Sequence, residues 1–489
     1  MNRIKETNRL LAENLVRSIM KDYEACGIAA AIIDKNGVTQ YEKFWGVRDL
    51  ESRKELDGET IFGLASVTKS FTALAIMQME ERGILKLDDP VSRYVPEFTN
   101  KNQKTVTIRH LLTHSGGFFP LPRILVDQVA AEMGLDEKAV GDLAYNDALA
   151  DEGVRRVAER LDAQTEESGL NGEPGEYLSY CNDGYGLLSD IIRRHGGEPS
   201  YAEYLLKNII EPLGMKRSFC DFVRPSLDVN AATLYKKVNG VMTASRDYHD
   251  HAFVLNGGGA MKSTLNDLKK YLAMYLNEGK TPEGIRILGS TGIREMCRPR
   301  QDYGAFGYYG YGLSMKRLDD LKVVEHGGSL PGVSSNIAWS NEVEAAVIVL
   351  CNTSGVPVRL ISDALMRMYN GRNPVDRRDV WQETSWDEET ILEAQGMYIS
   401  GEGTKAELYR KKDGSLGARD PHYPGRSQNR HRPESIFGPF YPPDPEREPG
   451  HLRHCLWQQA DPQKPAGETG RRRITEWESN TRSSAVLEI

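Results

Sequence analysis

Two short segments of this 489-residue chain place reactive side chains at spacings that chemistry can use. In Ser66-Val67-Thr68-Lys69 a hydroxyl and an amine are three residues apart, so on a helix they share one face. A serine hydroxyl attacks poorly until a neighbouring base takes its proton. A buried lysine can serve, because desolvation lowers its pKa, and a helix N-terminus favours negative charge on the serine oxygen. In Tyr180-Cys181-Asn182 a phenol and an amide are two residues apart. The plainer readings are an N-cap serine at 66 and a core tyrosine at 180.

Context separates these segments from chance copies. Ser18-Ile19-Met20-Lys21 repeats the first pattern near the end of an amphipathic, exposed-looking helix. Tyr275-Leu276-Asn277 repeats the second at a helix end expected to lie at the surface. Ser66, by contrast, opens a run to Arg82 that is apolar on most faces and stops at Gly83, the pattern of a central buried helix. A lysine in the first turn of such a helix opposes the macrodipole and calls for a reason.

The elements around that helix define the fold class. Gly27 to Asp34 (GIAAAIID) reads as a buried strand, Asn36-Gly37 as a hairpin turn, and Val38 to Val47 as the returning strand. Asn336 to Trp339 and Ala345 to Cys351 are two more strands. Gly184 to Arg194 and Leu265 to Asn277 are helical, the second capped through Ser263-Thr264 and Asp267. The expectation is an α+β fold: one antiparallel sheet assembled from both chain ends, flanked by helices, around a mostly helical middle.

Several motifs together resemble one family. They are Phe62 to Phe98 with Leu87-Asp88-Asp89-Pro90 and Tyr94-Val95-Pro96, then Ile108 to Gly117, Tyr180 to Tyr185, Gly257 to Thr264, and His326-Gly327-Gly328. Their order and spacing are similar to the class C β-lactamases, DD-peptidases, D-aminopeptidases and family VIII esterases. The resemblance covers about three quarters of the chain. It implies a β-lactamase/transpeptidase-like fold and an acyl-enzyme mechanism without a cofactor. Ser66 is then the nucleophile, Lys69 its proton partner, Tyr180 the second base and Asn182 a substrate-binding amide. The backbone N–H groups of Ser66 and Ser329 would form the oxyanion hole, where one donor contributes about 3–4 kcal/mol.

The third motif departs from the β-lactamases. They carry Lys-Thr-Gly or Lys-Ser-Gly where this chain has His326-Gly327-Gly328, so a permanent cation is replaced by an imidazole expected to titrate near pH 6.5. Substrate binding is assigned to Asn182, His326, Gly327, Gly328 and Ser329. A second His195-Gly196-Gly197 reads as a helix C-cap. His114 is expected to be a satisfied core histidine. The run Tyr303 to Tyr311 either borders the pocket or packs as strand and turn.

Composition argues against nucleic acid and membrane as partners, and the resemblance implies a small molecule or short peptide as substrate. With 62 basic and 70 acidic residues the net charge is −8, and no basic footprint for nucleic acid exists. No apolar run spans a bilayer and the N-terminus lacks a signal-peptide core, which suggests a cytoplasmic address. Six scattered cysteines form no Cys-x-x-Cys pair, no His-Glu-x-x-His metal motif occurs, and the Gly-x-Ser-x-Gly elbow of α/β-hydrolases is missing. A catalytic domain is expected over 1–372 and the start of a small β segment over 373–417. The stretch 418–489, with ten of the 23 prolines, reads as a disordered tail. Small amides or D-amino-acid peptides lead as substrates, with weak β-lactam turnover. An esterase on the same site and a non-catalytic penicillin-binding-like protein are the alternatives.

Overall fold

In the computed structural model, the described residues are 4–99, 105–121, 126–135, 147–164, 172–248, 255–304 and 307–376, with parts of 388–419 and 458–459. An eight-stranded antiparallel sheet organises them. Its order is Thr39–Gly46, Gly27–Asp34, Ala345–Cys351, Val333–Ser340, Leu321–Leu330, Ser314–Leu318, Tyr308–Tyr309 and Gln301–Asp302. The sheet joins both chain ends: Ile28 pairs with Cys351 and Asp34 with Ala345.

The unbroken apolar run GIAAAIID follows from burial on both faces. Alternate strand residues point to opposite sides. Ile28, Ala30 and Ile32 pack against helices Glu6–Tyr23 and Val358–Tyr369 through Val16, Ile19, Ile361 and Leu365. Ala29, Ala31 and Ile33 face the other way, into a larger core with Phe71, Leu268 and Leu272. Fully burying one such aliphatic side chain contributes about 1.5–3 kcal/mol.

The helix Thr68–Glu81 sits in that larger core and is buried from Thr68 through Met79. It is entered through a 3-10 turn, Ala65–Val67, and ends before Gly83, whose φ of 73° a side chain would resist. Helix Leu265–Leu276 starts as the sequence indicates, with Thr264 Oγ1 accepting the Asp267 N–H at 3.2 Å. Its far end corrects an expectation. Tyr275 is fully buried and stacks on Trp339 with ring centroids 4.5 Å apart, because the helix lies against the sheet.

Beyond Asp376 the described residues form a separate four-stranded sheet: Leu416–Arg419, Lys405–Arg410, Gly396–Ile399 and Gln458–Gln459. The tail expected over 418–489 lies outside the described residues, apart from Ala418, Arg419, Gln458 and Gln459, which are strand. No described helix is long and apolar enough to cross a membrane.

Candidate active site

From Ile61 to Met79 every residue is buried except Ser66, which reaches solvent at the turn into the helix. The turn is tied down around it. Ala65 takes a φ of 48°, Thr68 Oγ1 donates to Ala65 O at 2.6 Å, and Met261 N donates to Thr68 Oγ1 at 3.0 Å. The strand Leu321–Leu330 passes directly against it, and Ser335 Oγ donates to Leu64 O at 2.7 Å. One serine is thus presented by a rigid, otherwise closed segment.

Lys69 is fully buried one turn further on. Its Nζ donates to Ser66 Oγ and to Gly258 O, each at 3.0 Å. The same ammonium lies 4.8 Å from the Tyr180 ring centroid and 5.5 Å from that of Tyr185, within cation–π range. Asn182 opens the helix Asn182–His195 beside it; a β-carbon at Gly258 would lie 3.7 Å from both Asn182 Oδ1 and Lys69 Nζ. The pair Ser66 and Lys69 and the pair Tyr180 and Asn182, distant from each other in sequence, are therefore brought to one point. Ser18, by contrast, is exposed and bonded to Asp22, and Gly196 caps helix Asn182–His195 as its sequence suggests.

His326 is where the structure corrects the sequence. The imidazole is 5% exposed; its Nδ1–H donates to Gly327 O at 2.6 Å and its Nε2 accepts the Tyr309 hydroxyl at 2.9 Å. Burial, with the Lys69 cation second, pushes its pKa down to about 3, so it is neutral at physiological pH rather than titrating near 6.5. Gly327 and Ser329 on the same strand are exposed, whereas Gly328 is pressed against Leu64 and Ser335.

An aromatic wall closes the site. Tyr303 stacks parallel to Tyr180 at 6.3 Å, and Tyr309 meets Tyr180 edge-on at 6.2 Å. Both readings of Tyr303 to Tyr311 hold in part: Tyr303 and Tyr309 lie against the Tyr180 ring, while Tyr308–Tyr309 is a strand of the main sheet and Tyr309 and Tyr311 are fully buried. His114 is buried as expected but not fully satisfied. Its Nδ1 accepts the Cys181 N–H at 3.2 Å, while Nε2 has no hydrogen-bond partner among the described residues. Sequence reasoning gave no role to the Gly258 carbonyl or the Tyr309 hydroxyl. A backbone acceptor leaves no side-chain signal, and Tyr309 is one of several tyrosines in its run. Among the described residues no cluster of His, Cys, Asp or Glu could hold a metal.

The fold is that of the penicillin-binding, β-lactamase-like serine hydrolases. A penicillin-binding protein homologue from Pyrococcus abyssi, described as octameric, superimposes with a TM-score of 0.62 and 30% identity over 85% of this chain and 88% of its own. A penicillin-binding protein from Bacillus halodurans shares the fold at a TM-score of 0.54 and 22% identity, over 73% of this chain and 98% of its own. The chain belongs to the beta-lactamase family, whose model matches residues 12–367. Relatives include esterase EstB of Burkholderia gladioli, 27% identical over 67% of this chain and 86% of its own. A D-aminopeptidase of Brucella anthropi is 25% identical over 78% of this chain and 67% of its own.

Proposed function

We propose that this protein is an acyl-enzyme serine hydrolase acting on small amides and esters whose recognised end carries no free carboxylate. The observation that carries the reading is the 3.0 Å hydrogen bond from buried Lys69 Nζ to the one solvent-reaching residue of its segment, Ser66. Ser66 Oγ bonds to the acyl carbon while its proton passes to the Lys69–Tyr180 pair. The pair returns that proton to the departing amine or alcohol, and water then cleaves the ester on Ser66 by the same route. Asn182 holds the substrate carbonyl side, and the Ser66 and Ser329 N–H groups receive the developing oxyanion.

The neutral state of His326 narrows the substrate class. A lysine there would pair with a carboxylate; an imidazole held near pKa 3 and capped by Tyr309 offers no charge. D-Amino-acid amides satisfy that condition, and D-amino-acid peptides ending in a free carboxylate do not. Simple esters also satisfy it, in keeping with an esterase among the relatives. Catalysis takes place in the body formed by residues 1–372. Intact mass spectrometry after a fluorophosphonate tests the chemistry: a single adduct is expected, absent from Ser66→Ala. Hydrolysis of a D-alanine anilide beside an acyl-D-alanyl-D-alanine peptide tests the specificity; faster turnover of the peptide would reverse it.

A further inference from the structure

His114 is a buried ionisable group at the site to which the acyl-transfer steps give no part. We propose that His114 is a positioning residue that seats Tyr180 over Lys69, so that the rate of Ser66 acylation depends on it. The proposal rests on the serine-hydrolase reading.

Two hydrogen bonds hold the chain on either side of Tyr180 to this single residue. Ser179 N donates to the His114 carbonyl at 2.8 Å, and Cys181 N donates to its Nδ1 at 3.2 Å. Between them the Tyr180 ring rests on the imidazole, centroids 4.1 Å apart and planes tilted by 34°. The Lys69 ammonium stands 4.8 Å from the same phenol ring. A shift of the 179–181 segment would therefore move the phenol relative to the amine that shares its proton.

The seat works only with a neutral ring, because a proton on Nδ1 would face the Cys181 N–H donor. Burial and the Lys69 cation hold the imidazole well below its ordinary pKa. The titratable groups around it are Lys69, Tyr180, Tyr185, Tyr309 and His326. His114 also adopts a φ of 54°, which asparagine and glycine accept more readily than most residues.

The test uses the full chain and the rate of fluorophosphonate labelling. His114→Gly accepts the backbone angle but removes ring and acceptor; labelling should slow about 100-fold, the order that small misplacement of a reacting group produces. His114→Asn retains an acceptor for the Cys181 N–H and should recover to within about tenfold of the unmodified rate. In a Tyr180→Phe background, His114→Gly should add no further loss, since there is no phenol left to seat. Equal rates in the Asn and Gly variants, or an undiminished effect of His114→Gly without the phenol, overturns the assignment. Labelling that survives Ser66→Ala would instead overturn the serine-hydrolase reading, which separates the two failures.

Discussion

Gly328 and Leu64 approach so closely that a β-carbon on the glycine would lie 2.1 Å from the Leu64 carbonyl oxygen. The same atom would meet Ser335 Oγ at 2.4 Å and the Ala65 β-carbon at 3.1 Å. No side chain fits there, so the strand can lie flush with the turn that carries Ser66 only if residue 328 is glycine.

Gly328→Ala should therefore push the strand and the nucleophile turn apart. We expect kcat/KM to fall about 100-fold. The cost in stability should be about 1–3 kcal/mol, the usual range for overpacking. Ester hydrolysis and thermal unfolding measured on the same preparation check it; unchanged kcat/KM would show that the close approach is not needed for catalysis.

Lys69→Met fills much of the same buried space without a base. Acylation of Ser66 should slow by about 10²–10⁴-fold, the range over which a positioned proton-transfer group contributes. Stopped-flow release of nitrophenol from a short ester measures it. A loss below tenfold would mean that Tyr180 or water carries the proton without the amine.

For His326 the pKa dictates the direction. The folded protein binds this proton only near pH 3, whereas an unfolded imidazole binds it near 6.5. Between those values the unfolded state holds more protons, so stability is complete above 6.5 and declines as the solution is acidified. By pH 5 the group should cost roughly 2 kcal/mol. His114, lowered in the same sense, adds to the slope. His326→Gln should make the melting temperature less sensitive to pH between 7 and 5. Activity on a carboxylate-bearing substrate and on its neutral counterpart should also vary with pH in parallel; an acidic preference confined to the carboxylate would show that His326 charges in the complex.

The site residues all precede Gly371, and the family match ends at residue 367. A chain ending after Asp376 should keep the hydrolase activity within about threefold, because every residue given a part in the chemistry lies before that point. Assaying the shortened chain against the full one decides whether the second sheet contributes to catalysis.

How much of this the sequence revealed depended on locality. The strand Gly27–Asp34 was legible to the residue, because burial on both faces leaves a continuous apolar run. The Thr264 cap and the buried start of helix Thr68–Glu81 were equally local. Tyr275 was misplaced, because a tyrosine near a helix end does not state which side of that end meets the sheet. The neutrality of His326 was invisible for a related reason. It depends first on the burial of the ring in the finished fold, and then on the Lys69 cation, brought from a distant part of the chain.

The pairing of Gly27–Asp34 with Ala345–Cys351 has a consequence for the protein's birth on the ribosome. The first strand emerges early, but its partner lies more than 300 residues later, so the sheet cannot close until synthesis is well advanced. Contacts so distant in sequence are slow to form. Until they do, the strand Leu321–Leu330 cannot press against the Ser66 turn. A nascent chain stalled before residue 345 would therefore hold every side chain of the site and still be inert.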